Sequence, residues 1–301
     1  MINIFIKILR KPKIIVLYLL STKISRIIPD IIFLKTKFRL RIGKTLNLSN
    51  PKTFNEKLQW LKLYDRNPEY IDLVDKYKVR DYIAKTIGGE YLIPLLGVYN
   101  SFEEINFNTL PDQFVLKPTH TSGDIFICRD NSGIDYNDLK KKINKWLKRD
   151  YYFLSREWCY KNIKPRIICE KYLKNERKQV PDDYKVLCFN GQPKLIQIHV
   201  NRYSKDYSKV IYDLDWNKTT ISIGTSDFNL NIPKPKNYKS MLEFSKILAK
   251  DIPFARIDFY EEYNKLYFGE ITLYPASGFN PLQKNEDNIK LGSWIELPFD
   301  K

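Results

Sequence analysis

Apolar positions along this chain fall first at helical spacing and later in short strand-like runs. From Thr53 the pattern predicts a helix over 54–64, with Leu58, Trp60, Leu61 and Leu63 on one broad face. Thr53 and, three residues on, Glu56 form a capping-box signature at its start. A second helix is predicted over 70–86, carrying Ile71, Val74, Val79, Tyr82 and Ile83 and ended by Gly88-Gly89. Residues 93–99 read as a strand. Residues 114–117 and 125–128 read as two strands joined by the small-residue loop Pro118-Thr119-His120-Thr121-Ser122-Gly123-Asp124. A Lys-rich helix follows over 136–149, then a strand over 166–173. A hairpin over 184–200 turns at Asn190-Gly191, a helix spans 241–251, and a last hairpin over 255–271 turns near Asn264. The order is helix-rich first, then antiparallel hairpins interleaved with helices. That is an α+β arrangement, without the regular alternation of a doubly wound sheet.

The N-terminal stretch is different in kind. Met1 to Lys44 carries 11 Lys or Arg against the single acid Asp30, whereas the rest of the chain has 40 basic and 34 acidic residues. Most of the net charge of +16 therefore sits in this segment, and the remainder is only mildly basic. That distribution argues against nucleic acid as the partner. The longest uninterrupted apolar run, Ile14 to Leu20, is too short to span a bilayer, and Ser21-Thr22-Lys23 makes a poor cleavage site. Two basic amphipathic helices around Pro12 are expected instead. They would either lie on an anionic membrane or pack on the body.

Composition otherwise describes a folded protein, with 43% hydrophobic and 29% charged residues. Cys128, Cys159, Cys169 and Cys188 form no C-x-x-C pair, and with two His in the chain no zinc site is signalled. They are expected to be free thiols in a reducing cytoplasm. The common glycine-rich nucleotide motifs are absent.

Three constellations carry candidate chemistry. Lys117 ends an apolar strand where the loop 119–123 begins, a position from which an ammonium and loop N–H groups can hold a polyphosphate. Asp258 and Glu270 lie on adjacent predicted strands among apolar residues; Thr272 shares a face with Glu270, and Arg256 with Asp258. Buried carboxylates are costly unless paired or metal-bound, so this is either a Mg²⁺ site or a salt bridge through Arg256. The strand 167–173 emerges into a polar loop, where backbone groups can read a base edge.

Taken together, Phe-Val-Leu-Lys-Pro with its loop, Ile-Cys-Glu-Lys-Tyr-Leu, Asp-Tyr-Lys, Arg-Ile-Asp-Phe and Gly-Glu-Ile-Thr resemble the ATP-grasp superfamily. In detail the chain resembles its teichuronopeptide-biosynthesis (TupA-like) branch, over about residues 50–298, through stretches such as Lys52-Thr53-Phe54-Asn55-Glu56-Lys57-Leu58-Gln59-Trp60 and Asp75-Lys76-Tyr77. The resemblance implies two antiparallel-sheet lobes sandwiching ATP behind a helical N-terminal extension. The expected segments are 1–49, a helical region 50–110, a small subdomain 111–173 and a large one 174–301. It further implies that Lys76 and Lys117 contact the phosphates of ATP and that the loop Thr119 to Gly123, including Thr121 and Ser122, covers them. Glu170, Lys171, Tyr172 and Leu173 would form the adenine-reading hinge and Asp183 would contact the ribose. Asp258, Glu270 and Thr272 would bind Mg²⁺, and Arg256 would steady the transferred phosphate. Thr272 stands where the superfamily often has Asn. The loop has fewer glycines than many members, which makes His120 a candidate catalytic or substrate contact; His199 is expected to be structural.

The activity implied is ligation of a carboxylate to an amine in bacterial surface-polysaccharide synthesis. A glycosyltransferase is the rival, resting on Asp213-Leu214-Asp215, and a membrane-associated scaffold is a third reading.

Overall fold

The computed structural model describes residues 12–174, 180–202, 204–223 and 227–298. The first of the two expected N-terminal helices lies outside these. Helices α1 (Pro12–Leu19) and α2 (Asp30–Ile42) flank a 3-10 turn, Lys23–Ile27. Then come α3 (Phe54–Tyr64), α4 (Glu69–Val74) and α5 (Val79–Thr86), strands β1 (Leu95–Tyr99), β2 (Phe114–Pro118) and β3 (Phe126–Cys128), α6 (Tyr136–Leu147), α7 (Tyr151–Ser155) and β4 (Ile167–Lys171). The C-terminal half holds β5 (Asp183–Phe189), β6 (Gln192–Val200), β7 (Ser208–Tyr212), α8 (Tyr238–Leu248), β8 (Phe254–Glu262), β9 (Lys265–Thr272) and α9 (Asn285–Ser293).

Two antiparallel sheets organise the molecule. The smaller runs β1-β4-β2-β3 and the larger β7-β6-β5-β8-β9. Strand β1 precedes residue 110 yet forms an edge of the smaller sheet, so that sheet reaches back across the expected segment boundary. Both hairpin turns of the larger sheet place two successive residues in the left-handed region, Asn190-Gly191 and Tyr263-Asn264. Turns of that kind match the twist of the strands they join.

Helix α6 covers the smaller sheet, burying Leu139, Ile143 and Trp146 against Phe114, Leu116, Ile167 and Cys169. Helices α3, α4 and α5 bury Phe54, Leu58, Val74 and Ile83 in the same core as Val186, Ile196, Ile257 and Phe268 of the larger sheet. The capping box is formed: Thr53 accepts from the Glu56 N–H while Glu56 accepts from the Thr53 N–H. All four cysteines are buried and free. Among the described residues no helix is long and apolar enough to cross a membrane.

The helix expected over 70–86 is broken. Asp75, 1% exposed, turns its carboxylate onto the N–H groups of Tyr77 and Lys78 at 2.8 and 3.3 Å, which a continuing helix would have donated backwards along its axis. Arg166 pairs with the other carboxylate oxygen at 3.3 Å. The break frees Lys76 to reach the β2–β3 loop: its N–H donates to the Thr119 carbonyl and its Nζ to the Thr121 carbonyl at 2.5 Å. Residues 93–94 precede β1 as irregular backbone, and α8 begins three residues before and ends three residues before the predicted 241–251.

Candidate active site

A cleft runs between the two sheets. Lys117, Ile125, Ile168 and Glu170 line it from the smaller sheet side; Lys185, His199, Arg256, Tyr260, Phe268 and Glu270 line it from the larger; Lys76 and Arg80 line it from the helical segment before β1. Ser122, Gly123 and Asp124 form its rim, with Gly123 at φ +85°. Thr119 and Thr121 are buried beneath that rim. Their hydroxyls donate to the Lys164 carbonyl at 3.3 Å and to Asp124 at 2.8 Å, so they shape the loop from below. His120 is turned away: it is 3% exposed, its Nε2 lies 3.1 Å from the Trp146 carbonyl of α6, and burial pushes its pKa down. It does not line the cleft.

Glu170 is the anchor of the smaller sheet's contribution. It takes Lys117 at 2.7 Å and Arg80 at 3.2 Å, fixing two cations over the cleft. Beyond it lies a slot walled by Ile93, Val115, Ile127 and Leu173, with Lys171, Tyr172 and Asp183 at its edge. The slot's apolar walls are of the kind a flat aromatic ring packs against. Glu262 of β8 ties this strand end down, accepting from Lys171 Nζ at 3.0 Å and the Lys174 N–H at 2.8 Å. Ile93, Leu173, Tyr260 and Tyr267 pack together at the same place, so one hinge cluster joins the two sheets.

The larger sheet presents a charged row set by its register. Lys185, Asp258 and Glu270 are successive cross-strand partners on β5, β8 and β9. Asp258 is 1% exposed, and Arg256 grips it with Nε to Oδ1 at 2.7 Å and Nη2 to Oδ2 at 2.6 Å, while Lys185 pairs with the same Oδ2. Lys185 also pairs with buried Asp183 at 2.7 Å, and Arg202 reaches Asp183 at 2.6 Å. Glu270 is the accessible acid, with its side chain 36% exposed. Arg256 Nη2 and the Thr272 hydroxyl both donate to its Oε1, at 3.0 and 3.2 Å. Burial works against its charge, but Lys76 first, then Arg256, Lys185 and Arg202, outweigh it and hold its carboxyl down at about 2.

Whether a divalent cation fits can be judged from this donor set. Among the described residues no three His, Cys, Asp or Glu cluster as a metal cage. The oxygens present are one accessible carboxylate, a hydroxyl beside it and one buried carboxylate on the neighbouring strand. Mg²⁺ keeps several waters and is commonly held by one or two carboxylates plus phosphate oxygens, so the set fits it, with Glu270 as the exposed ligand.

A strained loop follows β9. Ala276, Ser277 and Gly278 are all left-handed, at φ 48°, 55° and 66°. Helix α3 holds them: Gln59 and Lys62 donate to the Ser277 carbonyl at 3.1 and 2.6 Å, and Asn55 and Gln59 to that of Gly278 at 2.9 and 3.0 Å. A Cβ on Gly278 would lie 2.9 Å from Leu58 Cβ, so only glycine fits. Such conformations persist where surroundings over-determine them, and here they sit six residues past Glu270.

The sequence assigns no role to Lys185, Arg202, Arg80 or Asp75, although Asp75 and Lys185 lie in stretches that carry the resemblance. Lys185 carries a signal: it stands two residues after Asp183, so the alternation of β5 places both on one face. His199, expected to be structural, lines the cleft. Burial, then Lys185, Arg256, Arg202 and Lys209, keep its imidazole neutral, and the Tyr207 hydroxyl lies 2.9 Å from its Nδ1.

No curated protein sequence matches the chain. Solved structures similar to it include D-alanine–D-alanine ligase from Bacillus anthracis, at 17% identity and a TM-score of 0.36, covering 74% of this chain and 59% of that one. The ADP complex of N5-carboxyaminoimidazole ribonucleotide synthetase is similar at 12% identity and a TM-score of 0.43, with 80% of this chain and 56% of that one covered. D-cycloserine synthetase DcsG is similar at 13% and 0.39, over 74% and 69%. The chain thus spans about three fifths of the Bacillus anthracis ligase. The model of the TupA-like ATP-grasp family matches residues 56–296, which take in all but the first two residues of α3, every later element to α9 and the whole of the cleft. The chain belongs to the TupA-like ATP-grasp family.

Proposed function

We infer from membership of the TupA-like ATP-grasp family that the protein is an ATP-dependent ligase. We propose that it joins a carboxylate to an amine through an acyl phosphate, on a glycan precursor of bacterial capsule, O-antigen or cell-wall polysaccharide. The observation that carries the reading is Glu270, an accessible acid held ionised in a cleft lined by Lys76, Lys117, Lys185 and Arg256.

In this reading adenine occupies the slot beside Tyr172 and Leu173, with Asp183 near the ribose. Lys76 and Lys117 hold the phosphates beneath the rim of Ser122 and Gly123. A substrate carboxylate oxygen attacks the γ-phosphorus and ADP leaves with the electrons of the broken P–O bond. Arg256 and Lys185 neutralise the charge spreading over the transferred oxygens. The amine nitrogen then attacks the acyl carbon, inorganic phosphate departs and the ammonium proton is lost to solvent. Mg²⁺, held by Glu270 with Thr272 and Asp258 nearby, would supply charge neutralisation to the phosphates.

The glycosyltransferase alternative finds less support. Asp213 closes the turn after β7, accepting from the N–H groups of Asp215 and Asn217 at 3.0 and 2.8 Å. The reaction is placed in the cytoplasm, where ATP is supplied, with the N-terminal segment a peripheral neighbour of the membrane's inner face. The test is a screen of ADP release with amino acids paired with uronic-acid sugar nucleotides. Release confined to a matched carboxylate–amine pair is expected. Turnover of a sugar nucleotide without ATP would overturn the reading.

A further inference from the structure

The N-terminal helices have two unlike sides. Inward, Leu20, Phe33, Leu34 and Phe38 are buried against Leu46, Leu63 and Phe279. Outward, Ile14, Tyr18, Leu19, Ile24, Ile27, Ile31 and Ile32 are exposed: seven of the fifteen large hydrophobics exposed among the described residues, within 19 positions. Ile27 is 85% exposed and Tyr18 67%. Exposed apolar residues gathered in one segment in this number are more than the scattered singles of an ordinary protein surface.

The charge around it says what the face meets. Lys13, Lys23, Lys35 and Arg39 are exposed between and beside these residues. Asp30, the single acid before residue 56, is engaged by Arg156 at 3.1 Å and by the Tyr152 hydroxyl at 2.5 Å. Cores of protein–protein interfaces are depleted in lysine. Isoleucines interleaved with lysines, with opposing charge removed, suit an acyl boundary beneath anionic headgroups, where the long cationic stems can reach the phosphates.

The face is also fixed to the catalytic body. Arg156 Nη2 donates to the Ser25 and Ile28 carbonyls at 2.5 and 3.1 Å, and Lys37 Nζ to the Leu154 carbonyl at 2.6 Å. Phe279, which packs beneath α2, directly follows the strained loop 276–278. We propose that the outer surface of residues 13–39 docks on an anionic lipid bilayer and, being latched to the loop beside Glu270, presents the cleft to the membrane at a set angle. This goes beyond the ligase reading and does not depend on it.

Flotation of the full chain with phosphatidylcholine vesicles, with and without phosphatidylglycerol, tests the proposal. The protein should float with the anionic vesicles, at least tenfold less with the neutral ones, and less as salt rises. The triple variant Ile24→Ser, Ile27→Ser, Ile32→Ser should lose flotation tenfold or more, and Lys13→Gln, Lys23→Gln, Lys35→Gln should lose the preference for phosphatidylglycerol. Unchanged melting temperatures and Mg·ATP-induced stabilisation confirm that the variants fold. Failure to float with anionic vesicles, or equal flotation of the isoleucine variant, overturns the proposal. So does a dimer in solution that the isoleucine variant converts to a monomer, since a second copy would then be the occupant.

Discussion

Arg256 and Asp258, two residues apart on β8, are joined along the guanidinium edge at 2.7 and 2.6 Å, so the acid orients the arginine. Asp258 is thereby a positioning group for the cation that faces Glu270. Asp258→Asn keeps the shape and removes the clamp. Steady-state assays should show ADP release falling about 10²-fold, the loss typical of one misplaced transition-state donor. Arg256→Lys should not substitute for arginine, because an ammonium cannot bridge both oxygens.

Lys185 lies between two buried acids, Asp183 and Asp258. Lys185→Met should destabilise the fold by about 3–5 kcal/mol, the cost of leaving buried carboxylates short of a partner. Adding Asp258→Asn should recover part of that loss. Urea unfolding of the two single variants and the double variant measures the coupling, and strict additivity would contradict the arrangement.

Gly278→Ala should cost more than about 1 kcal/mol, since alanine is strained at φ +66° and its Cβ meets Leu58. Denaturant midpoints report the effect. If the loop borders the substrate site, KM for the carboxylate should rise alongside.

Lys37 gives a pH signature. Burial, with Arg41 adding to it, lowers its pKa from 10.5 to about 8. The folded state then carries the cost of a charged, buried ammonium below pH 8. Between 8 and 10.5 the unfolded chain binds the extra proton, so stability rises with pH there. Relative to Lys37→Met, the wild-type protein should gain stability across that window and run parallel to the variant below it, as read from unfolding curves at stepped pH.

Much of this was legible in the sequence because it depends on local periodicity. The hairpins around Asn190-Gly191 and Asn264, the helix capped by Thr53, and the shared face of Glu270 and Thr272 follow from spacing and turn chemistry. What was not legible depends on contacts distant in sequence. The Asp75 carboxylate that breaks the helix is held by Arg166, 91 residues away, and the break lets Lys76 reach the Thr121 carbonyl. Likewise, nothing local tells His120, packed on Trp146, from His199, which lines the cleft; strand register and loop direction decide between them. Strand β7 and the strained loop 276–278 gave no periodic signal.

The proposed ligase binds a triphosphate between Lys76 and Lys117 on one side and Glu270, with the Mg²⁺ proposed there, on the other. Thermal melting with Mg·ATP and with UDP-sugars tests it most directly, because a ligand that binds the folded state alone raises the melting temperature. The account predicts stabilisation of the wild-type protein by Mg·ATP, most of it lost in Lys76→Met and Glu270→Gln, and indifference to UDP-sugars. Stabilisation by a UDP-sugar with no response to Mg·ATP would contradict it.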